Sequence, residues 1–121
     1  MANLISNFWQ RLSNRKGPWH AAVSVEAATD LPESIPAERA VLVGSDPHPK
    51  WIAFECPCNR GHRIMLNLDQ SRRPSWRVIC RQPLSLRPSV DALYDKQRCH
   101  FVLSNGRVIW IRERRRLKRG R

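Results

Sequence analysis

The sequence predicts a small α+β domain, β-rich and opened by a helix, on three observations. Several short apolar segments have strand length and strand alternation, from Ala21–Ala27 to Trp76–Cys80. Leu4, Ile5, Phe8, Trp9 and Leu12 recur at helical spacing. Asn105-Gly106 divides two apolar runs as only a tight hairpin turn does.

In chain order, the Leu4 to Leu12 face predicts a helix over about residues 3–13, closed by Asn14-Arg15-Lys16-Gly17-Pro18. Ala21–Ala27, alternating around Val23 and Val25, reads as a strand, and Ala40–Val43 as a second. Leu31–Pro36, with two prolines, is loop, and Asp46-Pro47-His48-Pro49 is a turn into a strand from about Lys50 to Cys56. Arg63–Leu68 and Trp76–Cys80 are further strands flanking the polar segment Asp69–Ser75. After Pro88, Ser89 suits a helix cap and Asp91 a first turn, which predicts a short helix over Val90–Tyr94. His100–Ser104 and Arg107–Ile111 then form a C-terminal hairpin across a type I′ turn.

With 121 residues the chain fits one domain, residues 1–111, followed by a basic tail over 112–121. In that tail Arg112, Arg114, Arg115, Arg116, Lys118, Arg119 and Arg121 face only Glu113. The formal net charge of +12 favours acidic partners, whether nucleic acid or protein. The 41% hydrophobic share argues against a disordered chain, and no apolar run approaches the roughly 20 residues a membrane helix needs. Met1–Arg11 lacks a signal-peptide core, so a cytoplasmic location is expected. The five tryptophans are expected to pack the core, Trp51, Trp76 and Trp110 from strands, rather than to stack on bases.

In a reducing compartment Cys56, Cys58, Cys80 and Cys99 are thiols or metal ligands rather than disulfides. Cys56-Pro57-Cys58 and His62 can converge through a turn on a zinc ion, the fourth ligand coming from Cys80 or Cys99. Cys80 also reads as a buried strand end. Strand alternation turns His100 away from Cys99 and leaves it available as a general base. Ser85, Ser89 and Ser104 are its nearest serine hydroxyls in sequence. Ser89 is the favoured nucleophile, with helix-start amides as oxyanion donors, against the plainer reading of a helix cap. Asp91, Asp95 and Glu55 are candidate third members, and spacing selects none of them. His20 and His48 are expected at the surface or in turns.

Taken in order, Phe54-Glu55-Cys56-Pro57-Cys58, Gly61-His62, Trp76, Ser85-Leu86-Arg87-Pro88-Ser89-Val90, Cys99-His100-Phe101 and Asn105–Trp110 have a family likeness. Over roughly residues 50–111 the chain resembles small bacterial proteins of a domain-of-unknown-function family encoded beside ubiquitin-like modifiers and their E1-like and E2-like enzymes. The resemblance implies a serine peptidase that matures such a modifier or removes it from a target. It also implies Ser89 as nucleophile, His100 as base, and Cys56, Cys58, His62 and Cys99 as ligands of a structural zinc. Two positions at which the family often carries further cysteines hold Arg60 and Gln97 here. The implied partners are the modifier and the conjugation enzymes.

The competing reading is a noncatalytic zinc-ribbon-like module that holds nucleic acid through its tail and a strand face, or an adaptor for the conjugation enzymes.

Overall fold

A computed structural model describes residues 18–45 and 47–112. The first sheet contains β1 (His20–Val25), β2 (Arg39–Val43), β3 (Trp51–Glu55) and β4 (Arg63–Asn67), in that order. β1 and β2 run parallel, and the remaining pairs are antiparallel. β2 is buried along its whole length, as its unbroken apolar stretch from Ala40 to Val43 requires. One of its faces looks into the main core. The other is closed by Ile35, which joins Val41 and Ala53 in a smaller cluster packed by Val23, Val25 and Leu31. The prolines around residues 32–36 thus belong to a loop that covers a sheet.

A two-stranded ribbon, β5 (Arg77–Arg81) with β6 (Leu84–Arg87), and a three-stranded sheet, β7 (Val90–Tyr94), β8 (Gln97–Ser104) and β9 (Arg107–Trp110), supply the opposite side of the main core. Leu84, Leu86, Val90, Phe101 and Leu103 meet Trp19, Leu42, Ile52, Phe54 and Leu66 there. Phe54 joins the two halves, with edge-on contacts to Trp19 at 5.5 Å and to Phe101 at 6.4 Å between ring centres.

The α+β class is corrected by this architecture. Among the described residues the order is almost wholly β, with one 3-10 turn at Ala28–Asp30. The helix expected after Pro88 is strand β7: Val90 is buried, Asp91 exposed, Ala92 half-buried and Leu93 exposed, an alternation matched residue for residue by β8. Five residues are too few to support a helix without packing, whereas a strand of that length is fully paired by its neighbour. The β7–β8 turn consists of Asp95 and Lys96, both at positive φ, a type I′ turn built without glycine. The helix expected over 3–13, and all of the expected tail after Arg112, lie outside the described residues.

The C-terminal hairpin turns on Asn105 (φ 53°) and Gly106 (φ 79°). This turn is also docked into the fold. Gly106 donates to the Leu84 carbonyl at 2.8 Å and accepts from the Trp19 amide at 3.0 Å, while the Leu84 amide donates to the Trp19 carbonyl at 2.9 Å. A Cβ at residue 106 would stand 2.4 Å from the Pro18 Cβ. Gly106→Ala therefore combines an unfavourable φ with a steric clash, and is expected to cost at least about 2 kcal/mol. Thermal unfolding should show a Tm lower by roughly 10 °C; an unchanged Tm would mean that the turn is not held as described.

The tryptophan expectation holds only in part. Trp19 is buried, but Trp51 and Trp110 remain 37% and 45% exposed. His20, expected at the surface or in a turn, is buried within β1, whereas His48 is exposed. Cys80, read as a buried strand end, is exposed on β5.

Candidate active site and metal-ligating cluster

Successive residues of β8 project to opposite faces, so Cys99 and Phe101 enter the core while Arg98, His100 and Val102 face outward. The strand therefore carries two chemistries back to back.

On the outward face the Ser89 Oγ lies 3.1 Å from the His100 Nε2. Ser89 immediately precedes β7, and the pairing of Val90 with Phe101 sets its height against His100 on the neighbouring strand. Behind it, the Trp76 Nε1 donates to the Ser89 carbonyl at 3.1 Å and fixes the main chain that carries the hydroxyl. Ser89 enters a strand, so the proposed oxyanion donors at a helix start do not exist. The other two hydroxyls are used elsewhere: Ser85 accepts from the Asn105 amide at 2.7 Å and Ser104 accepts from the Arg87 guanidinium at 3.2 Å.

The three candidate carboxylates do not bond to this pair. Asp91 lies directly opposite His100 on the same face, but it receives the Arg98 Nε and Nη2 at 2.7 and 2.6 Å. Those bonds hold its carboxyl below the usual carboxylate range, with a smaller contribution from His100. Glu55 pairs with Arg63 at 3.2 Å, and Asp95 occupies the β7–β8 turn. The His100 Nδ1 is buried and has no hydrogen-bond partner among the described residues.

On the inward side the ligand atoms of Cys56, Cys58, His62 and Cys99 all lie within 4.8 Å of one another, a cluster that could hold a metal ion. The segment from Cys56 to His62 folds back on itself. The Cys56 amide donates to the His62 carbonyl at 2.9 Å, the Asn59 amide donates to the Cys56 carbonyl at 3.2 Å, and Asn59 and Gly61 adopt positive φ. Cys99 reaches this knuckle from β8, with its Sγ 3.8 Å from the His62 Nε2. Cys80 is not among the cluster residues.

Burial pushes the Cys56 thiol up to about 12. Burial also opposes ionisation of Cys58, but the Arg60 amide and the Cys56 side chain outweigh it and hold that thiol below its ordinary value. Burial, then the Arg60 charge, keep His62 below the ordinary histidine value and favour the neutral imidazole that a metal requires.

Three residues not expected at the site, Arg60, Trp76 and Tyr94, support these groups. Arg60 donates to the Cys99 Sγ at 3.1 Å and lies over the Tyr94 ring, while His62 stacks on Tyr94 with centroids 4.2 Å apart. Arg60 could have been noticed from its place inside the knuckle. Trp76, thirteen residues before Ser89, and Tyr94 gave no local signal, because folding alone brings them to the site.

A search of curated proteins and a search of solved structures each find no match. A scan against family models matches residues 27–111 to the bacterial ubiquitination-like system serine protease family, BubE. That stretch contains Ser89, His100 and all four clustered ligands. By this match, the chain belongs to the serine protease family of bacterial ubiquitination-like systems.

Proposed function

We propose that this protein is a peptidase that processes or deconjugates a ubiquitin-like modifier, with Ser89 as nucleophile and His100 as general base. The observation that carries the reading is the 3.1 Å approach of the Ser89 Oγ to the His100 Nε2 on the half-buried outer face of β8. In the reactive tautomer the His100 proton sits on Nδ1, leaving Nε2 to accept the hydroxyl proton. As that proton moves, the Ser89 Oγ bonds to the carbonyl carbon at the end of the modifier. The tetrahedral adduct then breaks its C–N bond, and His100 returns the proton to the leaving nitrogen. Water, deprotonated by His100, hydrolyses the resulting ester and restores the serine.

Cys56, Cys58, His62 and Cys99 are proposed to hold a structural zinc. Three sulfurs and one imidazole are a zinc donor set, and the 3.8 Å between the Cys99 Sγ and the His62 Nε2 is close to the roughly 3.6 Å edge expected of a tetrahedral site. Arg60 offsets the excess negative charge of three thiolates around a divalent ion. Bound there, zinc supplies a crosslink between the knuckle and β8. The chain's own residues carry the proton chemistry on the opposite face.

The test is incubation with a modifier precursor that extends beyond its mature C-terminus, read by mass spectrometry. Two fragments cut after the mature terminal residue are expected; an intact precursor would overturn the reading. Because Asp91 is bonded to Arg98 and not to His100, Asp91→Asn is expected to lower kcat/KM by less than about tenfold. Loss of an orienting carboxylate in a full triad costs on the order of 10⁴. A loss of that size would show Asp91 to be a working third member.

A further inference from the structure

We infer that the substrate binds as an added strand on the outer edge of β7, pairing with the main chain of Asp91 and Leu93. The inference rests on the peptidase reading and extends it to the way the peptide is held.

The argument begins with hydrogen-bond parity. The two-residue turn at Asp95-Lys96 makes Tyr94 and Gln97 a hydrogen-bonded pair, so bonded and non-bonded pairs alternate along the ladder from there. Val90, Ala92 and Tyr94 thus aim their N–H and C=O groups at β8, while Asp91 and Leu93 aim theirs away from it. The β8–β9 ladder confirms the parity. Ile111 donates to the His100 carbonyl at 2.9 Å, which places the main-chain groups of His100 toward β9 and those of Cys99 and Phe101 toward β7. In the three-stranded sheet β7 has β8 as its neighbour on one side and no strand on the other among the described residues. Among the described residues the outward groups of Asp91 and Leu93 make no backbone hydrogen bond there.

Such an edge is normally blunted by proline, lysine or a bulge. Here the one charged side chain of the strand, Asp91, is tied to Arg98, and the edge presents Leu93, 75% exposed and on the same face as His100. The position of the nucleophile specifies the occupant. Ser89 stands two residues before the first free pair of main-chain groups, with its own carbonyl held by the Trp76 indole, so an extended peptide bonded to Asp91 and Leu93 is directed toward the residue that carries the hydroxyl and ends beside Trp76. Strand addition of this kind draws affinity from main-chain bonds and specificity from alternate side chains, one of which lies against Leu93. The formal charge of +12 favours a segment from an acidic protein.

The probe is a synthetic peptide spanning the cleavage junction of the modifier precursor, together with a series methylated at one backbone nitrogen at a time. Binding is read by fluorescence anisotropy on Ser89→Ala protein, so a failure of Ser89 as nucleophile leaves this measurement intact. Methylation at alternate residues is expected to weaken binding roughly tenfold, with little effect at the residues between. An even response along the peptide would overturn the inference. On the protein side, Leu93→Pro removes one outward N–H from an edge strand, a substitution such positions accommodate. It is expected to reproduce the tenfold loss with its melting transition retained. Val108→Pro removes the corresponding outward N–H of β9 and is expected to leave binding unchanged; a loss confined to Val108→Pro would move the peptide to the other edge and refute the assignment. Should Leu93→Pro fail to fold, the methylation series decides alone.

Discussion

Ser89→Ala is expected to lower precursor cleavage by at least about a thousandfold, and His100→Ala to do the same, because each would leave the other without a partner for the proposed proton transfer. The double variant is expected to be little worse than either single one, since the two residues act as a unit. Stability should hardly change in Ser89→Ala. The hydroxyl is half-buried and its bond to His100 is worth on the order of 1 kcal/mol. That separation makes the result decisive: a melting temperature within a few degrees of the parent, together with undiminished cleavage, would remove Ser89 from the mechanism.

The second large effect belongs to the cluster on the other side of β8. Cys58→Ser, or exhaustive chelation, is expected to abolish binding of one zinc per chain, lower the Tm by 10 °C or more, and reduce cleavage with it. The coupling is geometric. Cys99 and His100 are consecutive, so a crosslink at the Cys99 Sγ sets the position of the strand that presents the imidazole. With its thiol raised to about 12, Cys56 is protonated at neutral pH in the metal-free chain. Zinc must displace that proton, so apparent affinity should rise as pH rises and uptake should release protons. Elemental analysis, calorimetry in buffers of different ionisation enthalpy and thermal melts check these points. A chain with no bound zinc and an unaltered melt after chelation would rule out a structural metal.

What the sequence made legible was local. Asn105-Gly106 announces its turn because glycine relieves the positive φ that the geometry imposes, and the apolar runs at Ala40–Val43 and within Lys50–Cys56 announce strands. The turn at Asp95-Lys96 escapes notice because neither residue is glycine. Without that turn, Ser89 and Asp91 read as the start of a helix rather than the approach to β7. The proposed oxyanion donors at a helix start fell with that helix. The exposed Cys80 and the buried His20 depart from expectation for a related reason: a strand's period shows which residues share a face, but not which face another layer covers.

The site divides in the same way. Cys56, Cys58 and His62 lie within one knuckle and their convergence follows from spacing, whereas the arrival of Cys99 depends on how β8 packs. The meeting of Ser89 with His100 depends on the register of Val90 with Phe101, which no spacing encodes. Family membership gave these residues their context, and the folded geometry gave them their distances.

The central claim is that the Ser89 hydroxyl is made nucleophilic by His100. Its most direct test is reaction of the intact protein with a fluorophosphonate, followed by peptide mapping. The account predicts one adduct per chain, on Ser89, lost in His100→Ala and retained in Asp91→Asn. An adduct on any other residue, or a Ser89 adduct formed equally fast without His100, would contradict it.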